Sequence, residues 1–151
     1  MTTLAEQIDH DLKEAMKARD AARLGTLRML KSALKYAAIE KSGADAVVDD
    51  ETAVTVIRKQ IKQREDAAEG FEKGGRPDSA ASERTEIEVM TVYLPAALSA
   101  EELAAIVKEA IAESGATVKA QMGAVMKLAQ VKAAGRADGK SLSAEVQKHL
   151  A

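Results

Sequence analysis

The chain has 151 residues, carries 24 Asp and Glu against 22 Lys and Arg, and contains no cysteine. That length suits one ordinary domain or two small ones, and the missing cysteines exclude disulfide frameworks, thiolate zinc sites and cysteine nucleophiles together. A formal net charge of −2 gives no overall basic field to attract nucleic acid.

Aliphatic residues are plentiful, while Tyr36, Phe71 and Tyr93 are the only aromatics, so the core must be aliphatic, which favours helices. Polar residues interrupt the first ten positions, and no apolar run approaches the roughly 18 residues needed to span a bilayer. Neither secretion nor insertion is indicated, and a cytoplasmic protein with no membrane partner is expected.

Thr3 and Glu6 have the spacing of a capping box, and Leu4, Ile8, Leu12 and Met16 recur at helical intervals, which predicts a first helix to about Lys17. Asp20 caps a second helix with the core stripe Leu27, Leu30, Leu34 and Ala37. Arg28, Lys31 and Lys35 cluster on an adjacent face, and Gly43 closes the helix. A third helix starts at Asp49 or Asp50 on the stripe Val54, Ile57, Ile61, Ala68 and Phe71, and Gly74, Gly75 and Pro77 end it. Asp78 opens a fourth, which must finish near Tyr93 because Pro95 disfavours helical geometry in the residue before it.

After this break, Ser99 and Glu102 repeat the capping-box spacing. Leu103, Ile106, Val107, Ala110 and Ile111 form a stripe, and Gly115 stops the helix. Met122, Val125, Met126 and Ala129 mark another helix, and Leu142, Val146 and Leu150 a last one. The expectation is an all-α protein of two helical subdomains, a longer bundle over residues 1–95 and a compact three-helix unit over 96–151.

Charge is unevenly distributed. From Thr117 onward Lys119, Lys127, Lys132, Arg136, Lys140 and Lys148 face only Asp138 and Glu145. Arg28, Lys31 and Lys35, with Arg58, Lys59 and Lys62 on the third helix, could line a track for a phosphate backbone, although such residues usually form a solvated face. Without aromatic interleaving there is little to stack bases, so a nucleic acid bound here is read by shape and charge.

The segment from Gly135 to Ser141 ends like a phosphate loop but is one residue short. A Walker A spacing needs glycine where Ala134 stands, and a strand rather than a helix before it. Two readings stay open. Helix-start N–H groups with Arg136 and Lys140 could receive one phosphate of a polyanion. Alternatively, Gly135 is a left-handed stop, Asp138 an N-cap and Gly139 a tight connection.

Arg64 falls on the apolar stripe of the third helix, where a structural ion pair with Glu86 or Glu88 is favoured over a binding role. Gly123, inside a helical pattern, is expected to sit under a close helix backbone. His10 and His149 lack a second ligand at metal spacing, and no Ser, Asp or Glu sits in a nucleophile or paired-carboxylate setting. No catalytic residue and no cofactor is expected.

Taken in order, Arg28 to Lys35, Arg58 to Arg64, Tyr93-Leu94-Pro95, Met122 to Met126 and Gly135 to Lys140 give the chain its resemblance to the GatB/YqeY family, over nearly its whole length. The resemblance implies two helical subdomains similar to the C-terminal helical and tail regions of the B subunit of the tRNA-dependent amidotransferase. In that enzyme the tail contacts tRNA, and related modules are fused to some glutaminyl-tRNA synthetases. It therefore implies a tRNA-associated role, with tRNA and a synthetase or amidotransferase component as partners. A carbon–nitrogen ligase label would describe this association, since the regions that bind ATP and hydrolyse glutamine are not in this chain. The leading expectation is a non-catalytic tRNA-binding accessory module. The alternative is a helical protein-interaction module of the translation machinery, which an exposed aliphatic patch would favour.

Overall fold

The computed structural model describes residues 2–151, which are helical and contain no strand. The chain divides into two compact units, Met1–Leu94 and Pro95–Ala151.

In the first unit, α1 (Leu4–Lys17) starts on a complete capping box. Thr3 Oγ1 accepts from the Glu6 N–H, and the Glu6 carboxylate accepts from the Thr3 N–H at 3.0 Å. The second helix, α2 (Ala21–Ser42), is capped by Asp20, whose carboxylate accepts from the Arg23 N–H. Its buried stripe is Leu27, Leu30, Leu34 and Ala38. Ala38 therefore replaces the expected Ala37, because four residues after Leu34 keeps the helical phase better than three at this end of the core.

The third helix, α3 (Asp50–Lys73), is capped by Asp49, which accepts from the Thr52 N–H at 2.7 Å. Pro77, rather than Asp78, opens α4 (Pro77–Thr91). Its fixed φ suits the first helical position, and Asp78 follows in the first turn, where a carboxylate favours the helix dipole.

Helices α3 and α4 form the most extensive helix pair. Helix α1 packs on α2, and α2 lies against both α3 and α4. Ile8, Leu27, Leu30, Ile57 and Met90 are completely buried where these helices meet. Truncating any of the buried leucines or isoleucines to alanine costs about 2–5 kcal/mol. Tyr93 is also buried, and its hydroxyl donates to Asp11 Oδ2 at 2.5 Å. Burial, and then the Asp11 carboxylate, hold its pKa well above the usual tyrosine range.

In the second unit, α5 (Ala100–Ser114) starts at Ser99, whose Oγ accepts from the Glu102 N–H, and ends at Gly115 in the left-handed region with φ 71°. A single 3-10 turn (Lys119–Gln121) leads into α6 (Met122–Ala133), and α7 (Gly139–His149) completes a three-helix unit. Val107, Ala110, Val125, Ala129, Leu142 and Val146 meet in its core. Lys119 N–H donates to the Ala151 carbonyl, and Ala151 N–H donates to the Thr117 carbonyl, which ties residues 117–119 to the residues after α7.

A further sequence expectation is corrected at Gly123, and the left-handed stop expected at Gly135 is shared with the residue before it. Gly123 is exposed, and a Cβ built on it would meet nothing within 4 Å, so no helix backbone approaches it. It lies in the first turn of α6, where helix propensity matters less than in the interior and a glycine needs no packing reason. The stop of α6 begins at Ala134, with φ 49°, and only then continues through Gly135 at φ 80°. An alanine thus holds a left-handed position that favours glycine.

Candidate nucleic-acid interface

The C-terminal cations separate into two kinds. Lys132 on α6 is only 20% exposed, and its ammonium donates to Glu109 at 3.0 Å and Glu113 at 2.8 Å, both on α5. The hydrogen bonds it donates to Glu113 and then Glu109 raise its pKa above the usual lysine value. Arg136 donates through Nε to the Ala96 carbonyl at 2.9 Å and through Nη2 to Glu102 at 3.0 Å. Its own carbonyl accepts from the Leu98 N–H. The Ser99 hydroxyl, and then Arg136, hold the Glu102 carboxyl below its usual range. Both residues spend their charge bracing the three-helix unit.

Lys119 on the 3-10 turn, Lys127 on α6 and Lys140 at the start of α7 are exposed. Among the described residues, none of the three has a carboxylate within ion-pair distance. Lys148 pairs with Glu145 at 3.3 Å, and His149 lies 3.0 Å from the same carboxylate. His149 is the first cause, and Lys148 the second, of the lowered Glu145 pKa.

In the Gly135 to Ser141 segment, Asp138 takes the Ser141 N–H at 2.7 Å, and its carbonyl takes that of Leu142. Arg136 is thus held by Ala96 and Glu102 and the Ser141 N–H by Asp138, which leaves the Lys140 ammonium, among the described residues, as the cation of this segment without a carboxylate partner.

In the first unit, α2 carries Arg23, Arg28, Lys31, Lys35 and Lys41 against the single acid Glu40. Arg23 lies 3.8 Å from Asp11, Lys31 2.7 Å from Asp9 and Lys41 3.6 Å from Asp49. Arg28 and Lys35 are exposed and, among the described residues, have no carboxylate within that range. Helix α3 differs. Lys59 and Lys62 are exposed, but they share their helix with the acidic residues Glu65, Asp66 and Glu69, and Arg58 is partly buried.

One aromatic does stand beside the basic residues of α2. Tyr36 is 72% exposed on α2, beside Lys35. Its phase in the sequence, outside the Leu27, Leu30 and Leu34 stripe, already separates it from the core.

Arg64 is a structural residue. It is 11% exposed, with Nε donating to Glu86 at 2.7 Å. Nη1 donates to the Gln60 side chain at 2.8 Å and to its carbonyl at 3.0 Å, and Nη2 lies against the Met29 sulfur.

A depression of about 250 Å³ opens between α1, α2 and the loop before α3, lined by apolar residues such as Ile8, Leu34 and Val48 together with Lys31 and Lys35. Asp9 also lines it and is paired with Lys31 at 2.7 Å. Among the described residues, no three or more His, Cys, Asp or Glu side chains gather to hold a metal. No described helix is long and apolar enough to cross a membrane.

Comparison with known proteins places these features in a family. The chain is 33% identical over 106 residues to the protein named "Altered inheritance of mitochondria protein 41, mitochondrial" of Eremothecium gossypii, covering 69% of this chain and 57% of that one. The protein of the same name from Lachancea thermotolerans is 39% identical over 84 residues, covering 56% of this chain and 44% of its own. That of Saccharomyces cerevisiae strain YJM789 is 30% identical over 93 residues, covering 62% and 49%. The chain thus spans about half the length of the curated relatives it matches.

These names overturn the cytoplasmic expectation, since the relatives are mitochondrial by name. A cysteine-free composition and the lack of a spanning segment do not specify one compartment, and they carried more weight in that expectation than they can bear. The model of the Yqey-like protein family matches residues 5–150, nearly the whole chain and both helical units, and the chain belongs to that family.

Proposed function

We propose that this protein is a non-catalytic accessory module that binds tRNA through its phosphates, related in this role to the tail of the amidotransferase B subunit. The observation that carries the reading is the contrast within the C-terminal unit, where Lys132 and Arg136 are neutralised by α5 carboxylates while Lys119, Lys127 and Lys140 are exposed without such partners. Uncompensated lysines displace counterions from a polyanion, and three to five phosphate contacts make affinity fall steeply with salt. Among the described residues no nucleophile stands beside a base, and binding rather than turnover is the role assigned.

The test is a titration of unfractionated tRNA with the full chain over a series of salt concentrations. A linear fall of log affinity with log salt, with a slope of about two to four, is expected. No measurable binding at low salt would refute the reading. It would favour the protein-interaction alternative, which draws support from Val131, 79% exposed one helical turn after Lys127.

A further inference from the structure

Helix α2 presents a face that phosphate contacts alone do not account for. On a helix advancing about 100° per residue, Arg28, Ser32, Lys35 and Ile39 fall within about 60° of one another, and Tyr36 lies about 40° beyond Ser32. All five are exposed or, for Ile39, at the edge of exposure. Between Ala21 and Ile39 the helix contains no acidic residue.

An isolated exposed tyrosine is ordinary, and so is an exposed lysine. Here the one strongly exposed aromatic among the described residues stands among uncompensated cations, in a protein whose net charge is −2. Tyr93, the other tyrosine, is buried against Asp11, which leaves Tyr36 as the tyrosine open to a ligand.

We infer that Tyr36 is a stacking platform for an unpaired RNA base, with Arg28 and Lys35 holding the flanking phosphates. A phenol ring accepts the face of any base, and stacking of this kind is tolerant of sequence. Arg28 and Tyr36 are eight residues apart, about 12 Å along the axis, so the cation and the ring engage neighbouring nucleotides of one strand. In a duplex the bases are stacked inside and only their edges reach the grooves, so the ring selects loops and ends. A protein docking site is the less favoured occupant. The face is rich in unpaired positive charge, and only Tyr36 and Ile39 offer it apolar surface.

This inference rests on the proposed RNA-binding role and adds the class of RNA to it. The test uses the full chain, an unstructured RNA oligonucleotide, the same oligonucleotide annealed to its complement, and unfractionated tRNA. Tyr36→Ala is expected to weaken the single strand by roughly 5- to 150-fold and the duplex by less than about 2-fold, whereas Tyr36→Phe retains parental affinity. Tyr36→Trp introduces the chain's only tryptophan, and its emission should be quenched by the single strand but not by the duplex. Because residue 36 is exposed, helicity by circular dichroism should be unchanged in all three variants.

If the parent binds RNA but Tyr36→Ala binds the single strand as tightly, and the tryptophan emission of the Tyr36→Trp variant does not respond, the platform is refuted while the RNA-binding role stands. That outcome would leave the face to a protein partner. If the parent binds none of the three RNAs, the RNA-binding role fails and the platform fails with it.

Discussion

Replacing Arg64 by methionine should lower the stability of the first unit without altering RNA binding. Methionine keeps an unbranched apolar stem in the space the arginine stem fills, so the change isolates the guanidinium. Three hydrogen bonds to oxygen disappear, to Glu86 at 2.7 Å, to the Gln60 side chain at 2.8 Å and to the Gln60 carbonyl at 3.0 Å, together with the contact to the Met29 sulfur. A hydrogen bond to a charged group contributes about 1.5–3 kcal/mol and a neutral one about 0.5–1.5. The Glu86 term belongs at the bottom of its range, because Glu86 is 41% exposed and rehydrates when its partner leaves. Methionine also avoids the desolvation of a guanidinium, which offsets part of the loss. The net cost is about 1–2 kcal/mol, and a double-mutant cycle with Glu86→Gln should return a coupling of about 1 kcal/mol. Tyr36 and Tyr93 both lie in the first unit, so tyrosine emission during urea unfolding follows that unit alone. With a denaturant slope of about 1–2 kcal/mol per molar urea, the midpoint should fall by about 1 M. An unchanged or raised midpoint would show that the buried guanidinium costs as much as it contributes, and a lost tRNA salt slope would show that Arg64 is a binding residue.

Ala134→Gly relieves a left-handed alanine at φ 49° and is expected to stabilise the second unit by about 0.5–1 kcal/mol in thermal unfolding. The same substitution completes a Walker A spacing in the sequence. Because a helix rather than a strand precedes it, the variant should show no ATP hydrolysis, and hydrolysis that it gained over the parent would contradict the structural reading of this loop. Tyr93 keeps its proton in the folded state to higher pH than in the unfolded state, so its contribution is complete below about pH 10 and is lost as pH rises beyond it. Tyr93→Phe should therefore be less stable than the parent by about 1 kcal/mol at neutral pH, with the difference shrinking as pH rises above about 10. A difference that grew with pH would reverse the assigned sign.

Local signals were legible in the sequence, and signals that depend on the register between helices were not. Thr3, Asp20, Asp49, Ser99 and Asp138 all cap the helices they precede, because a cap needs only its own first turn. Arg64 revealed a structural ion pair, though not which of Glu86 and Glu88 would make it, because a charge in phase with an apolar stripe needs a partner; the structure supplies Glu86. The bracing of Lys132 by Glu109 and Glu113, and of Arg136 by Glu102, was hidden, since it depends on how α5 lies against α6 and the following loop. A charge count over residues 117–151 treats all six cations as equivalent, whereas packing leaves Lys119, Lys127 and Lys140 exposed without carboxylate partners. Gly123 misled for a related reason. A glycine in a helical pattern signals either close packing or a tolerant first turn, and only the position of the helix start separates the two.

The central claim, that unpaired lysines rather than all the cations of the C-terminal unit engage tRNA, is tested most directly by comparing salt slopes of two variants. The triple variant Lys119→Ala, Lys127→Ala and Lys140→Ala removes three exposed charges, and its slope for tRNA should fall by about two to three units, with affinity lost to a similar degree for different tRNAs. The double variant Lys132→Met and Arg136→Met removes cations that α5 already neutralises. It should unfold more readily and yet keep the parental slope when measured at a temperature where it is folded. A parental slope in the triple variant, or a slope lost only in the folded double variant, would contradict the account.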